Sequence, residues 1–295
     1  MTLRDDLQNA ANRLRMVRAA DDLDDARLQV ELLYGEAAHL ERTQVIAAGG
    51  RDADPASLAA FEELLRRREN HEPLAYILGR REFYGRTFEV GPGCLVPRPE
   101  TEVLVEAALA AVAAHPGAKR QVRVADIGTG SGIIGLSIAA HAPNAKVWCV
   151  DISTEALQWA GRNMRRHGLQ DRVVLLTGDL AEPLDQPIDV LCANLPYVPT
   201  DDFEDLPPQI REREPRIAVE GGTTGIELIE RLASQIPVHI SEHAAILLEV
   251  GAGQIGWAED LVTAALRAAD REVSSVVHHR DLRGIRRCLE VRAGY

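Results

Sequence analysis

The sequence predicts a doubly wound α/β domain on a seven-stranded, mostly parallel sheet, preceded by a small helical bundle. Two observations carry that expectation. From residue 122 onward, short apolar runs rich in Val, Ile and Leu alternate with segments of helical period, the pattern of strand–helix–strand units. Before residue 73 the apolar residues instead keep i, i+3, i+4 spacing throughout. The 295 residues exceed ordinary single-domain size, and 46% hydrophobic residues are ample for a core.

Residues 1–73 read as helices, through Leu3-Leu7-Ala10-Ala11-Leu14, then Ala26-Val30-Leu33-Tyr34, then Leu58-Phe61-Leu64-Leu65. Asp54-Pro55 marks a helix start after the Gly49-Gly50 break. Arg66, Arg67 and Arg68 read as a solvated last turn that suits the helix dipole. Partner docking is the expected use of this bundle. Residues 74–98 punctuate short aromatic and β-branched runs with Gly85-Arg86 and Gly91-Pro92-Gly93, which suggests a β-hairpin linker. Residues 99–295 form the α/β domain, opening with a helix from Pro99 to about Ala114.

Four strands follow, Val122–Ile127, Lys146–Asp151, Val173–Leu176 and Ile188–Ala193, and three more at Ala244–Val250, Val273–His278 and Ile285–Val291. The intervening helices span 133–140, 154–167, 225–236 and 254–268, with Ser153 or Thr154 as a cap for the second.

Composition narrows the function. No apolar run approaches the roughly 18 residues of a membrane span, and the acidic start Met1-Thr2-Leu3-Arg4-Asp5-Asp6 lacks a signal-peptide core. Cys94, Cys149, Cys192 and Cys288 are scattered, so a cytoplasmic protein without membrane association is expected. A net charge of −12 weakens any reading in which long duplex is held, so no direct nucleic-acid binding is expected. His278-His279 has no partners at ligand spacing, and no metal is expected. Nothing demands more than a monomer.

Strand ends carry the chemistry. Asp126-Ile127-Gly128-Thr129-Gly130-Ser131-Gly132 joins a strand to a helix, yet its order departs from the GxGxxG of a pyrophosphate cradle. Asp151 ends the next strand, where a carboxylate accepts from ribose hydroxyls, and Asp179 ends the third, where it or its neighbour can accept from an adenine amine. Gly-rich loop, Asp and Asp at successive strand ends describe an adenosine pocket with no pyrophosphate anchor, which S-adenosylmethionine fits. The fourth strand ends in Asn194-Leu195-Pro196-Tyr197. The Asn194 amide oxygen, the Leu195 carbonyl and the Tyr197 ring suit a planar –NH2 group, a carboxamide or a base amine; a strand-ending Asx turn closed by prolines is the plainer reading.

These stretches resemble the HemK/PrmC family of protein-(glutamine-N5) methyltransferases, which act on peptide chain release factors. The resemblance runs over Pro73–Gly79, Phe83-Tyr84-Gly85, Leu95-Val96-Pro97-Arg98-Pro99-Glu100-Thr101-Glu102, Asp126–Gly132, Asn194–Tyr197, Glu214-Pro215, Glu220-Gly221-Gly222 with Gly225, Leu248-Glu249-Val250-Gly251 and Arg280–Arg287. It implies the class I S-adenosylmethionine-dependent methyltransferase fold. It also implies that Asp126, Ile127, Gly128, Thr129 and Gly130 hold the methionine end of the cofactor, Asp151 its ribose, and Asp179 and Leu180 its adenine. Asn194, Leu195, Pro196 and Tyr197 would hold the acceptor glutamine, with Asn194 also beside the cofactor and Asn194 and Tyr197 catalytic. Where the family has Asn-Pro-Pro-Tyr, this chain has Leu195, which keeps the carbonyl but not proline's fixed φ. The implied activity is methylation of the glutamine in a release factor's Gly-Gly-Gln loop. The alternatives are a ribosomal-protein glutamine and, since a flipped base amine suits the same acceptors, N6-adenine in nucleic acid. Glu214-Pro215 either shapes the substrate mouth or makes a plain turn, and Arg98 either contacts substrate or pins the hairpin, the structural role being preferred.

Overall fold

The computed structural model describes residues 2–294, which divide into two compact units, residues 2–80 with 206–213, and residues 81–205 with 214–294. In the first unit, helices α1 (Leu3–Met16), α2 (Leu23–Ala38), α3 (Arg42–Ala48), α4 (Pro55–Glu69) and α5 (Leu74–Leu78) enclose a core of Leu7, Leu14, Leu33, Phe61 and Leu65. The starts follow local chemistry: Thr2 and Asp5 close a capping box on α1, and Asp54 caps α4 with Pro55 at its first position. Residues 74–78, expected in the hairpin, form a helix instead, set off by Pro73 before it and by Gly79 in the left-handed conformation after it.

Arg68 departs from its expected solvated position. It is 2% exposed and donates from Nε to Gln29 Oε1 at 2.7 Å, from Nη1 to the Glu72 carbonyl at 3.1 Å and from Nη2 to the Ala19 carbonyl and to Gln209 Oε1. A guanidinium's planar fork serves several acceptors at once, so a buried Arg here joins α4, α2 and the returning segment 206–213. Arg66 and Arg67 stay at the surface, paired with Glu63 and Glu72.

At the start of the second unit lies a hairpin, β1 (Arg80–Phe83, its first residue still in the first unit) and β2 (Arg86–Glu89), then a 3-10 turn at Pro99–Thr101 leading into α6 (Glu102–Ala114). Next come β3 (Val122–Ile127), α7 (Ile133–His141), β4 (Ala145–Asp151), α8 (Thr154–Arg166, capped by Ser153), β5 (Val173–Thr177) and β6 (Ile188–Asn194). A two-stranded pair, β7 (Val198–Pro199) and β8 (Glu220–Gly222), brackets the short helix α9 (Pro208–Arg211), which belongs to the first unit. The chain closes with α10 (Glu227–His239), β9 (Ile240–Glu249), α11 (Ile255–Ala268), β10 (Val273–Arg280) and β11 (Arg286–Ala293).

The seven-stranded sheet has the order β10-β11-β9-β6-β3-β4-β5, parallel from β9 to β5 with β11 antiparallel to both neighbours. Its central strands are apolar on both sides because both sides are covered. Val124, Val190, Cys192 and Leu247 pack beneath α6 and α7, while Ala125, Ile127, Leu191, Ala193 and Leu248 face α10 and α11. Strand order reverses between β3 and β6, and the carboxyl ends beside such a reversal form the crevice where open α/β sheets take ligands. Among the described residues, no helix is long and apolar enough to cross a membrane.

Candidate functional site

A cavity of about 240 Å³ opens at those carboxyl ends, lined by Gly128, Gly130, Asp151, Asp179, Leu180, Asn194, Leu195 and Pro196, with Cys94 and Pro215 closing its rim. Residues at the ends of β3, β4, β5 and β6, 68 positions apart from Gly128 to Pro196, thus meet because parallel strands deliver all their ends to one edge.

At β3 the loop is held from behind. The Asp126 carboxylate is fully buried and accepts from the Thr129 hydroxyl at 2.5 Å and the Gly135 amide at 2.8 Å. Burial outweighs those two hydrogen bonds and pushes its pKa up to about 6. The Asp126 side chain therefore faces the loop and helix, and Ile127 lies in the core, while Gly128 and Gly130 present backbone to the cavity. Thr129 borders a smaller cleft shared with Arg98, Thr101 and Asn194. Gly128 has φ +71°, and a Cβ there would sit 3.0 Å from Leu195 Cδ2. Leu195 is itself 4% exposed, so packing against β3 supplies rigidity that proline would give through φ.

Asp151 accepts from the amides of Gly130 and Ser153, both at 2.8 Å, which fixes its carboxyl at the cavity edge; burial nevertheless raises its pKa. Asp179 is ion-paired with Arg231, another lining residue. Leu180 follows with φ +52°, a conformation that branched side chains seldom adopt and that sites tolerate when their surroundings impose it.

The β6 end is the most constrained. Asn194 Nδ2 donates to the Thr101 hydroxyl at 3.1 Å, so Oδ1 is the free end of the amide. The Tyr197 carbonyl accepts from Gln254 Nε2 at 2.9 Å, and Gln254 Oε1 accepts from the Gly251 amide at 2.9 Å. Gly225, at φ +77°, comes so close that a Cβ would lie 2.2 Å from the Tyr197 carbonyl oxygen. Burial raises the Tyr197 phenol pKa, helped by Glu249 and opposed by Arg287 and Arg98. Glu214 is buried and accepts from the Val96 amide at 3.0 Å and from Arg98 Nη2 at 2.6 Å, so both residues pin the segment before α6.

Sequence reasoning missed Thr101, Glu249 and Gln254 as members of this site. Glu249 ends β9 directly opposite Asn194; the sequence offered an acidic residue closing the run Ala244–Leu248 and its place in the Leu248–Gly251 stretch of the resemblance, but not its strand partner.

Comparison with known proteins places this geometry in context. Residues 7–79 match the PrmC N-terminal domain and residues 101–209 the methyltransferase small domain. The chain is 41% identical to a release factor glutamine methyltransferase of Geobacter sulfurreducens, covering 80% of this chain and 81% of that one. It is 38% identical to the Moorella thermoacetica protein of the same name over 90% of each. Among solved structures, a methyltransferase from Pyrococcus furiosus superposes with a TM-score of 0.51 at 18% identity, covering 72% of this chain and 91% of that one, a likeness of fold.

Proposed function

The chain belongs to the release factor glutamine methyltransferase family, and on that premise we propose that it transfers a methyl group from S-adenosylmethionine to N5 of the glutamine in a release factor's Gly-Gly-Gln loop. The observation that carries this reading is the fixed Asn194 amide: its nitrogen is committed to Thr101, leaving an oxygen acceptor at the cavity end. An acceptor there suits a primary carboxamide, which brings two N–H donors.

The donor set suits S-adenosylmethionine. The Asp151 carboxylate, held by two backbone amides, is an acceptor pair for a ribose diol; Asp179 and the neighbouring backbone suit an adenine amine; Gly128 and Gly130 leave backbone bare where a side chain would fill the space. Bound there, the cofactor supplies a sulfonium methyl group open to nucleophilic attack.

The remaining work falls to this chain. A carboxamide nitrogen is a poor nucleophile because its lone pair is delocalised into the carbonyl. Asn194 Oδ1 and the Leu195 carbonyl each accept one N–H of the glutamine, which turns the nitrogen lone pair toward the methyl. The same two acceptors stabilise positive charge as it grows on that nitrogen. Tyr197 packs on the amide plane and excludes water. Methyl transfer to the neutral nitrogen would leave an N-methylated amide cation, which is acidic enough to pass its extra proton to water, so no strong base is needed beforehand. Residues 1–73 serve as the docking surface for the release factor. The protein works as a cytoplasmic monomer without binding nucleic acid directly.

Incubation with methyl-labelled S-adenosylmethionine, purified release factor, duplex DNA and ribosomes tests the reading. Label enters the release factor alone and is lost on Gln→Ala in its Gly-Gly-Gln tripeptide; label in DNA or in a ribosomal protein refutes it.

A further inference from the structure

Glu249 is a carboxyl group in an expensive place. It is 3% exposed, its Oε2 is buried without a partner, and Arg287, the guanidinium whose charge acts on it, has its Nε 3.5 Å from Asp281. A core position is served more cheaply by an apolar side chain, so a buried and incompletely paired carboxyl calls for a reason. Its place supplies one. Glu249 stands opposite Asn194 in the β6–β9 register, and both Thr101 and Asn194 hydrogen-bond its carboxyl group.

We propose that Glu249 is a positioning residue that, together with Thr101, fixes the Asn194 amide with Nδ2 inward and Oδ1 toward the acceptor. This rests on the reading of Asn194 as the residue that holds the glutamine amide. The two ends of a carboxamide have nearly the same shape, so packing alone does not choose between them; hydrogen-bond polarity does. An ionised Glu249 only accepts. It takes the single proton of the Thr101 hydroxyl, which leaves Thr101 Oγ1 as an acceptor for Asn194 Nδ2. Both neighbours of the Asn194 amide then demand N–H, and its oxygen must face the cavity. A protonated Glu249 reverses the chain. It donates to Thr101 Oγ1, the hydroxyl proton is released for Asn194 Oδ1, and the amide is free to turn its NH2 to the cavity, where it repels the incoming NH2.

The switch falls in a working pH range. Burial pushes Glu249 up to about 7, against the lowering effect of Thr101, Arg287 and Asn194, while Glu100 raises it further. The other titratable groups facing it are Tyr197, beyond Asn194, and Cys288, opposite it on β11, whose thiol is pushed far up by burial and stays neutral.

The test compares pH profiles of kcat for wild type, Glu249→Gln, Thr101→Ser and Thr101→Val on release factor, with S-adenosylmethionine affinity followed by calorimetry. Wild-type kcat falls about tenfold per pH unit below a midpoint near 7. Glu249→Gln lowers kcat at pH 8 by about 10–100-fold and flattens the profile, with cofactor affinity and KM for release factor within about twofold of wild type. Thr101→Ser keeps the wild-type profile; Thr101→Val loses it. In parallel, the side-chain amide 15N–1H pair of Asn194, assigned by its absence in Asn194→Ala, shifts with pH in wild type and not in Glu249→Gln. A wild type that transfers no methyl to release factor defeats the proposed substrate, and the amide signal then decides the positioning on its own. An active wild type matched in rate and acid limb by Glu249→Gln, or an Asn194 amide signal that ignores pH in wild type, overturns the positioning role.

Discussion

Gly225→Ala is the sharpest probe of how the Asn194–Tyr197 loop is held. At φ +77° an L-residue costs about 1–2 kcal/mol. The new Cβ would stand 2.2 Å from the Tyr197 carbonyl oxygen and 2.9 Å from Gln254 Nε2, the two atoms that hydrogen-bond each other at 2.9 Å. Backbone must yield by roughly 1 Å to restore ordinary contact. Moving it breaks the Gln254 bond and leaves a carbonyl unpaired, for about 1–3 kcal/mol more. The lost flexibility of the unfolded chain returns about 0.4–1 kcal/mol, so the net cost is about 2–4 kcal/mol. Gly168→Ala is the control, since Gly168 has φ +66° but nothing within 4 Å of a Cβ; it should cost about 1 kcal/mol or less. Thermal unfolding followed by circular dichroism separates them: about 5–12 °C lost for Gly225→Ala against about 2–4 °C for Gly168→Ala. Methyl transfer should drop by about 10²-fold in the first and stay near wild type in the second. Equal melting temperatures and equal rates would refute the claim that Gly225 and Gln254 clamp the loop.

Three further outcomes follow from the same geometry. Asn194→Ala should leave S-adenosylmethionine affinity within a few-fold of wild type by calorimetry and cut single-turnover transfer by about 10²–10³; collapse of cofactor affinity would contradict the acceptor role. Asp126 binds its proton more tightly in the folded state, its pKa rising from 3.8 to about 6, so it makes stability fall as pH rises through that window, by about 2–3 kcal/mol in all. Urea unfolding at pH 4.5 and pH 7 should therefore show Asp126→Asn gaining on wild type as pH rises, with Glu249 common to both proteins. Arg68→Ala should destabilise the helical unit by about 2–4 kcal/mol, because Gln29, Gln209 and the Ala19 carbonyl lose their donor. Arg68→Lys should not restore it, since a single ammonium cannot span those acceptors.

The seven-stranded sheet was legible because buried parallel strands must be apolar on both faces, and Val122–Ile127, Ala145–Asp151 and Ile188–Asn194 are such runs. Strand-end Asp151 and Asp179, the loop glycines and Asn194 were legible for a related reason: polar residues break those runs where the strands reach the crevice. What escaped was set by long-range pairing. Glu249 looked like any strand-closing acid until the register put it opposite Asn194. Arg68 looked like a solvated helix end until segment 206–213 returned to supply Gln209. The helix at residues 74–78 was masked by aromatic and β-branched residues whose propensity a proline before and a glycine after override. Leu195 gave no sequence sign that burial against Gly128 would stand in for proline.

The central claim is that the Asn194–Tyr197 site methylates a glutamine side chain. Fragmentation mass spectrometry of release factor after one turnover, with wild type and Asn194→Ala side by side, tests it most directly. The account predicts one added methyl group, located on the side-chain amide nitrogen of the Gly-Gly-Gln glutamine, formed by wild type and nearly absent with the variant. A methyl group on another residue, or equal modification by both proteins, would contradict it.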